Sequence, residues 1–192
     1  KLNITMNSGS NLIRWNAPTG GSINLSSISS LSSSIANVTV TGSNYNTLSI
    51  NKGELVIDEN VALTGTGNAY NGVEMSQSKV TLASGYNITG ALDGQIGIAQ
   101  INPGTLSDVS ITNNGTITLS GKKSTGLALD HGYITNTGTI EVTNPGITGE
   151  GSLGIFSADD TVTVNNGAIN VSGIEAVGIY GANDFVSGTP AS

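Results

Sequence analysis

Asp130, Asp159, Asp160 and Asp184 each follow a Gly-aliphatic pair by four to six residues. If the segments carrying them stack, these carboxylates line one corner of the fold, where two chemistries become available. Clustered carboxylates with an Arg or Lys base beside them make a Ca²⁺-assisted polysaccharide lyase site. A pair of carboxyl groups ~5–10 Å apart across a cleft hydrolyses glycosides. The bases suit the first poorly: Lys122 and Lys123 belong to another turn, and Arg14 lies coils away. Asp130 and Asp159 reach the second separation only by stacking, and acids repeated at a corner are ordinarily solvated turn residues. The glycine-aspartate nonapeptide of Ca²⁺-binding β-rolls is missing. His131 is the only histidine and sits in a turn between Asp130 and Gly132. It therefore offers a His-based metal site or a Ser-His-Asp relay a single candidate, and reads as an exposed turn residue. No catalytic, metal-binding or cofactor-binding residue is assigned. The expectation is a protein without enzymatic activity, with a polysaccharide-acting lyase or glycosidase as the alternative.

What must position these groups is visible in the composition and in a repeat. Charged residues make up 10% of the 192 residues and aromatics 4%, while glycine reaches 27 copies and cysteine none. Ser, Thr, Asn and Gly fill the polar positions, a mixture that favours short strands and tight turns over helices. A formal charge of −7 and the lack of a basic cluster argue against nucleic acid. No run approaches the ~18 apolar residues of a membrane-spanning helix. The lack of cysteine excludes a disulfide framework. Without an initiating Met or a signal sequence, the chain reads as a segment of a longer protein.

Four segments share the pattern Asn-x-Gly-x-Φ-x-Φ, with Φ aliphatic: Asn51 to Ile57, Asn113 to Leu119, Asn136 to Val142 and Asn165 to Val171. Their glycines are Gly53, Gly115, Gly138 and Gly167. The alternation that follows each has the period of a strand with one buried face. A second marker, Gly-Φ, falls between them at Gly72, Gly97, Gly126, Gly154 and Gly178, with spacings of 25, 29, 28 and 24 residues (97−72, 126−97, 154−126, 178−154). A third short strand precedes each Asn, clearest in 161–164 and 48–50. Two interleaved markers of common period predict an all-β parallel β-helix with about three strands per coil of 24–29 residues.

Coils of such a solenoid lie about 4.8 Å apart, so each inward position must stack an aliphatic side chain on its equivalent. Ile117, Ile140 and Ile169 should form one column, continued by Leu55 if that coil aligns; Leu119, Val142 and Val171 should form the next. The Asn of each motif is expected at a turn, tolerating a left-handed backbone and bonding to copies above and below, and the Gly is expected to supply positive φ. We divide the single domain into irregular N-terminal coils (1–47), regular coils (48–181) and a loop or cut end (182–192). Trp15 is expected to cover the top of the stack. The outward Thr116, Thr139 and Ala168, and Thr118, Glu141 and Asn170, make rows too broken for ice binding. The loops at 26–34 and 144–150 are where contacts would be sought.

The stretch from Asn165 to Gly181, Asn-Asn-Gly-Ala-Ile-Asn-Val-Ser-Gly-Ile-Glu-Ala-Val-Gly-Ile-Tyr-Gly, resembles the passenger domains of Gram-negative type V autotransporters, most closely the large fusobacterial outer-membrane adhesins. Residues 113–129 carry the same motif with changes, and the resemblance spans roughly 48–181. It implies a right-handed β-helix exported through a C-terminal membrane barrel and displayed on the cell surface. It further implies a virulence-related role in adhesion to a host glycan or protein receptor, or to other bacteria, by a monomeric stalk without a cofactor.

Overall fold

The computed structural model describes residues 2–6, 11–16, 21–28, 38–42, 46–63, 71–100, 109–143, 151–182 and 185–188. In chain order the strands are β1 (Leu2–Met6), β2 (Asn11–Asn16), β3 (Ser22–Asn24), β4 (Val38–Gly42), β5 (Asn46–Asn51), β6 (Glu54–Ile57) and β7 (Val61–Leu63). Then come β8 (Asn71–Ser76), β9 (Lys79–Leu82), β10 (Asn87–Gly90), β11 (Ile96–Gln100), β12 (Ser110–Asn113) and β13 (Thr116–Leu119). The last six are β14 (Thr125–Asn136), β15 (Thr139–Thr143), β16 (Leu153–Asn165), β17 (Ala168–Ser172), β18 (Val177–Ala182) and β19 (Phe185–Gly188). Among the described residues, the only helical turn is a 3-10 turn at Leu25–Ile28.

All pairings are parallel, and they sort the strands into the three faces of a β-solenoid. The first face stacks β2, β5, β8, β11, the opening half of β14, the opening half of β16, and β18. The second stacks β3, β6, β9, β12, the closing halves of β14 and β16, and β19. The third stacks β7, β10, β13, β15 and β17. Strands β14 and β16 turn the corner from first to second face without a break, and the register slips there between Asp130 and Gly132. β1 and β4 pair apart from the three stacks.

Register places like on like. The third face carries Val61, Ile88, Ile117, Ile140 and Ile169 in one inward column. The first carries Leu48, Val73, Ile98, Leu127 and Ile155. Every one of these side chains is buried. Burying one fully stabilises the fold by about 1.5–3 kcal/mol. Trp15 lies over Ile50 in the first described coil and packs, half buried, against the core.

One alignment differs from expectation. Leu55 does not continue the Ile117 column; it pairs with Val80 and Ile23 on the second face. Asn51 pairs with Ser76 rather than lying below Asn113, and 48–50 belongs to the first face, whereas 161–164 belongs to the second. The motif at Asn51 is a turn followed by an alternating strand, and that signal is the same at any corner. Only the pairing partner in the next coil says which corner it is.

The glycines also act differently from expectation. Gly115, Gly138 and Gly167 are not among the positive-φ residues. A Cβ on Gly138 would instead strike the carbonyl oxygen of Gly115, and one on Gly167 that of Gly138. Those same oxygens accept the amides of Thr139 and Ala168. Close approach of the coils excludes the side chain. The Gly-Φ column obeys the same rule: a Cβ on Gly72 would lie 2.6 Å from the Gly97 oxygen, and one on Gly97 2.5 Å from the Gly126 oxygen.

The motif's Asn residues have no left-handed backbone either. Asn113, Asn136 and Asn165 point inward, fully buried, and form a ladder. Asn113 Nδ2 donates to Asn136 Oδ1 at 2.7 Å, and Asn136 Nδ2 to Asn165 Oδ1 at 2.7 Å. Below Asn113 the same position holds Leu82 and then Ile57. Neither can donate, so Asn113 Oδ1 has no hydrogen-bond partner.

Three expectations follow. Ile140→Asp should leave no cooperative thermal transition by circular dichroism, because it places a carboxylate in a dry column. Asn136→Ala strands a donor on one side and an acceptor on the other, and should cost about 3 kcal/mol in urea unfolding. Asn113→Leu removes the orphan oxygen and extends the Leu82 column, so it should stay within about 1 kcal/mol of the parent.

Candidate interaction surface

The corner between the first and second faces holds the residues that drew attention in the sequence. At the described levels it is turned by Lys52, Gln77, His131 and the pair Asp159–Asp160, all with positive φ between 30° and 62°. A non-glycine residue in this region costs about 1–2 kcal/mol, and the cooperative coil spacing on either side imposes it. Long or charged polar side chains recur here because the turn leaves them in solvent.

His131 Nδ1 lies 2.6 Å from Asp130 Oδ1, with both side chains about 40% exposed (40% and 38%). An ion pair at such exposure is worth about 0–1 kcal/mol. Asp130 pairs in register with Ala158, while Asp159 and Asp160 together stand opposite His131 at the bulge. Three of the four aspartates thus share one corner, and Asp184 lies outside the described residues. Lys122 and Lys123 occupy the corner between the third and first faces, where the Lys122 amide donates to Asp93 Oδ1. The first-face run from Thr125 to Asp130 separates these lysines from Asp130, about 16 Å of extended chain. That is too far for a lysine to act as base beside the carboxylate. Among the described residues, no three His, Asp or Glu side chains converge as metal ligands would.

Aromatic side chains flank the acidic corner on both sides. On the first face Phe156 and Tyr180, paired in register, stack with centroids 5.7 Å apart and planes 5° from parallel. On the second face Tyr133 stands 51% exposed between Ser110 and Val162. Exposed aromatic rings are enriched at contact surfaces, where a polar rim surrounds them. The sequence offered one clue to the Phe156–Tyr180 pair: each stands two residues after a Gly-Φ glycine, Gly154 and Gly178, a single coil length apart. Of the other tyrosines, Tyr86 packs against the core. Tyr70 and the loop 144–150 lie outside the described residues, as does 29–34. Of the Ser-rich loop, 26–28 falls in the 3-10 turn.

Asp58 makes a second polar knot near the first coil. Its carboxylate accepts from Asn24 Nδ2, the Ser26 amide at 2.7 Å and the Ser26 hydroxyl. Partial burial alone would raise its pKa; the bonds from Ser26, its own amide and Asn24 outweigh that and hold it below the ordinary 3.8. No helix among the described residues is long and apolar enough to cross a membrane. No protein-family model, curated protein or solved structure matches the chain.

A lowered carboxylate pKa gives stability that is complete above the unfolded value and is lost as pH falls through the folded one. Melting temperatures of the parent should therefore fall on acidification below about pH 4 by an increment that Asp58→Asn lacks. The variant should already melt lower at pH 7.

Proposed function

We propose that this chain is a segment of a surface adhesin of the autotransporter passenger type. In this reading it is a rigid β-solenoid stalk whose outer faces and corners bind by shape and charge complementarity. The observation that carries the reading is the juxtaposition at the first corner: Asp130, His131, Asp159 and Asp160 form a polar ridge, and Tyr133 and the Phe156–Tyr180 pair flank it. Rings and carboxylates on a scaffold with fixed coil spacing form a preorganised contact surface, so little side-chain entropy is lost on binding. The motif between Asn165 and Gly181 supports the same reading through its resemblance to those passengers.

In this proposal the partner is a host cell-surface glycan or protein receptor, or a surface component of another bacterium. The segment is displayed outside the cell as a monomer, joined through other parts of the protein to an outer-membrane barrel. No covalent step is assigned to it; the separation between the acids of the first corner and Lys122–Lys123 supports that assignment.

The test is binding of the purified segment to cultured epithelial cells and to a glycan array. The double variant Tyr133→Ala/Tyr180→Ala should bind at least about tenfold more weakly than the parent, as expected of exposed aromatic contact residues. Its melting temperature should stay close to the parent's. Cleavage of a polysaccharide by the parent, abolished by Asp130→Asn, would overturn the non-enzymatic reading.

A further inference from the structure

Three Asn-Gly pairs occur in the chain: Asn71-Gly72, Asn114-Gly115 and Asn166-Gly167. Such a pair sets an electrophile beside a nucleophile. The carboxamide carbon of the asparagine lies within reach of the next backbone nitrogen, and glycine has no Cβ to shield that nitrogen. Reaction requires a carboxamide free to turn, a nitrogen without an acceptor, and access for water.

The structure separates the three pairs. Gly72 is buried inside β8, which β5 and β11 hold on both sides. Gly115 is also buried, and the Thr137 hydroxyl of the next coil donates to Asn114 Oδ1 at 2.7 Å. Asn166, by contrast, is exposed, and Gly167 is half buried. Among the described residues, none bonds to the Asn166 carboxamide and no carbonyl accepts the Gly167 amide. One coil earlier, the Gly138 amide donates to the Asn113 oxygen. The backbone around the pair is nevertheless held. The Asn166 amide donates to the Asn136 oxygen at 2.8 Å, and Asn165 Nδ2 to the Gly167 oxygen at 3.3 Å. The turn is fixed while its two reacting groups are unengaged.

We infer that Asn166-Gly167 is a self-modification site whose product loosens this coil. The Gly167 amide gives its proton to solvent, and its nitrogen attacks Asn166 Cγ. The new N–Cγ bond closes a succinimide ring as the Cγ–Nδ2 bond breaks, and the amino group leaves as ammonia with a proton from water. A water molecule then opens the ring. Opening at Cγ leaves aspartate in the original main chain. Opening at the backbone carbonyl leaves isoaspartate, whose main chain runs through Cβ and Cγ. Either product adds a negative charge to the turn. Isoaspartate also lengthens the main chain by one atom just before β17. That displaces the Ala168 amide from the Gly138 oxygen, now 2.9 Å away, and Ile169 from its place over Ile140.

The test ages the purified chain in warm, mildly alkaline buffer and follows each pair by peptide mass mapping, with isoaspartyl methyltransferase labelling to detect isoaspartate. In the folded chain Asn166 should convert at least about tenfold faster than Asn71 or Asn114, which must first give up burial or a hydrogen bond. In concentrated urea the three should convert at comparable rates. Thr137→Val should speed Asn114 by at least about threefold and leave Asn166 unchanged. The aged parent should melt at least about 2 °C below fresh protein, whereas aged Asn166→Ser should match its own fresh form. Equal rates at the three pairs in the folded chain would overturn the inference. So would an Asn166 that stays intact while the unfolded chain converts, or a melting temperature that conversion leaves unchanged.

Discussion

The interaction on which everything else depends is the backbone hydrogen bond between coils. It fixes the spacing of the coils at about 4.8 Å, and no side chain inside can escape that interval. An aliphatic residue satisfies it by lying on its copy, as Ile117, Ile140 and Ile169 do. A Cβ aimed along the axis cannot satisfy it at all, and this is why glycine recurs at 72, 97, 126 and 154. A buried polar group satisfies it only if its copy can answer as both donor and acceptor. The carboxamide of Asn is suited to this, because one end donates upward while the other accepts from below.

That condition explains where the interior is polar and what it costs. The Asn ladder is satisfied internally and fails at one end, where Asn113 Oδ1 faces Leu82. Thr163 breaks the rule in another way. It stands in the column of Leu55, Val80, Ile111 and Ile134 with its hydroxyl buried and unpartnered. Ser124 and Ser152, which precede the first-face strands of successive coils, have the same defect. A hydroxyl has one proton and a short reach, so copies spaced by a coil do not bond as amides do. Polar residues of the wrong geometry inside a stack therefore subtract from its stability.

The sequence revealed the period and much of the core because period and core are local consequences of the spacing rule. Gly-Φ pairs at 24–29-residue intervals are enough to place Gly72, Gly97, Gly126, Gly154 and Gly178 on one line. It did not reveal which corner Asn51 turns, because the turn signal carries no information about its neighbour in the next coil. Nor did it distinguish the two reasons for glycine, positive φ and close approach, which leave the same letter. The contact surface was the least legible part. Phe156, Tyr180 and Tyr133 are scattered in the chain, and only the register brings the first two into a stack and sets the third across the corner. Asp130, Asp159 and Asp160 were legible as residues of one corner. Their distance from the lysines needed the faces to be drawn.

The spacing rule also separates what is constrained from what is free. Inward positions are bound to their copies above and below, so a change at one level is felt at three. Outward positions alternate with them along the same strands, and the rule asks nothing of their identity beyond tolerance of a strand. The outward column on the first face runs Ser49, Glu74, Ala99, Ala128, Phe156, Tyr180, passing from hydroxyl to carboxylate to methyl to aromatic ring. Its inward neighbour runs Leu48, Val73, Ile98, Leu127, Ile155, Ile179, aliphatic throughout. Chemistry displayed on such a scaffold can therefore change at one coil without loss of the fold. The corner residues are freer still, since a left-handed turn in solvent accepts Lys52, Gln77, His131 or Asp160 alike. A long stack of this kind holds its interior constant while its surface varies coil by coil, and that is the physical condition for presenting different binding surfaces along one rod.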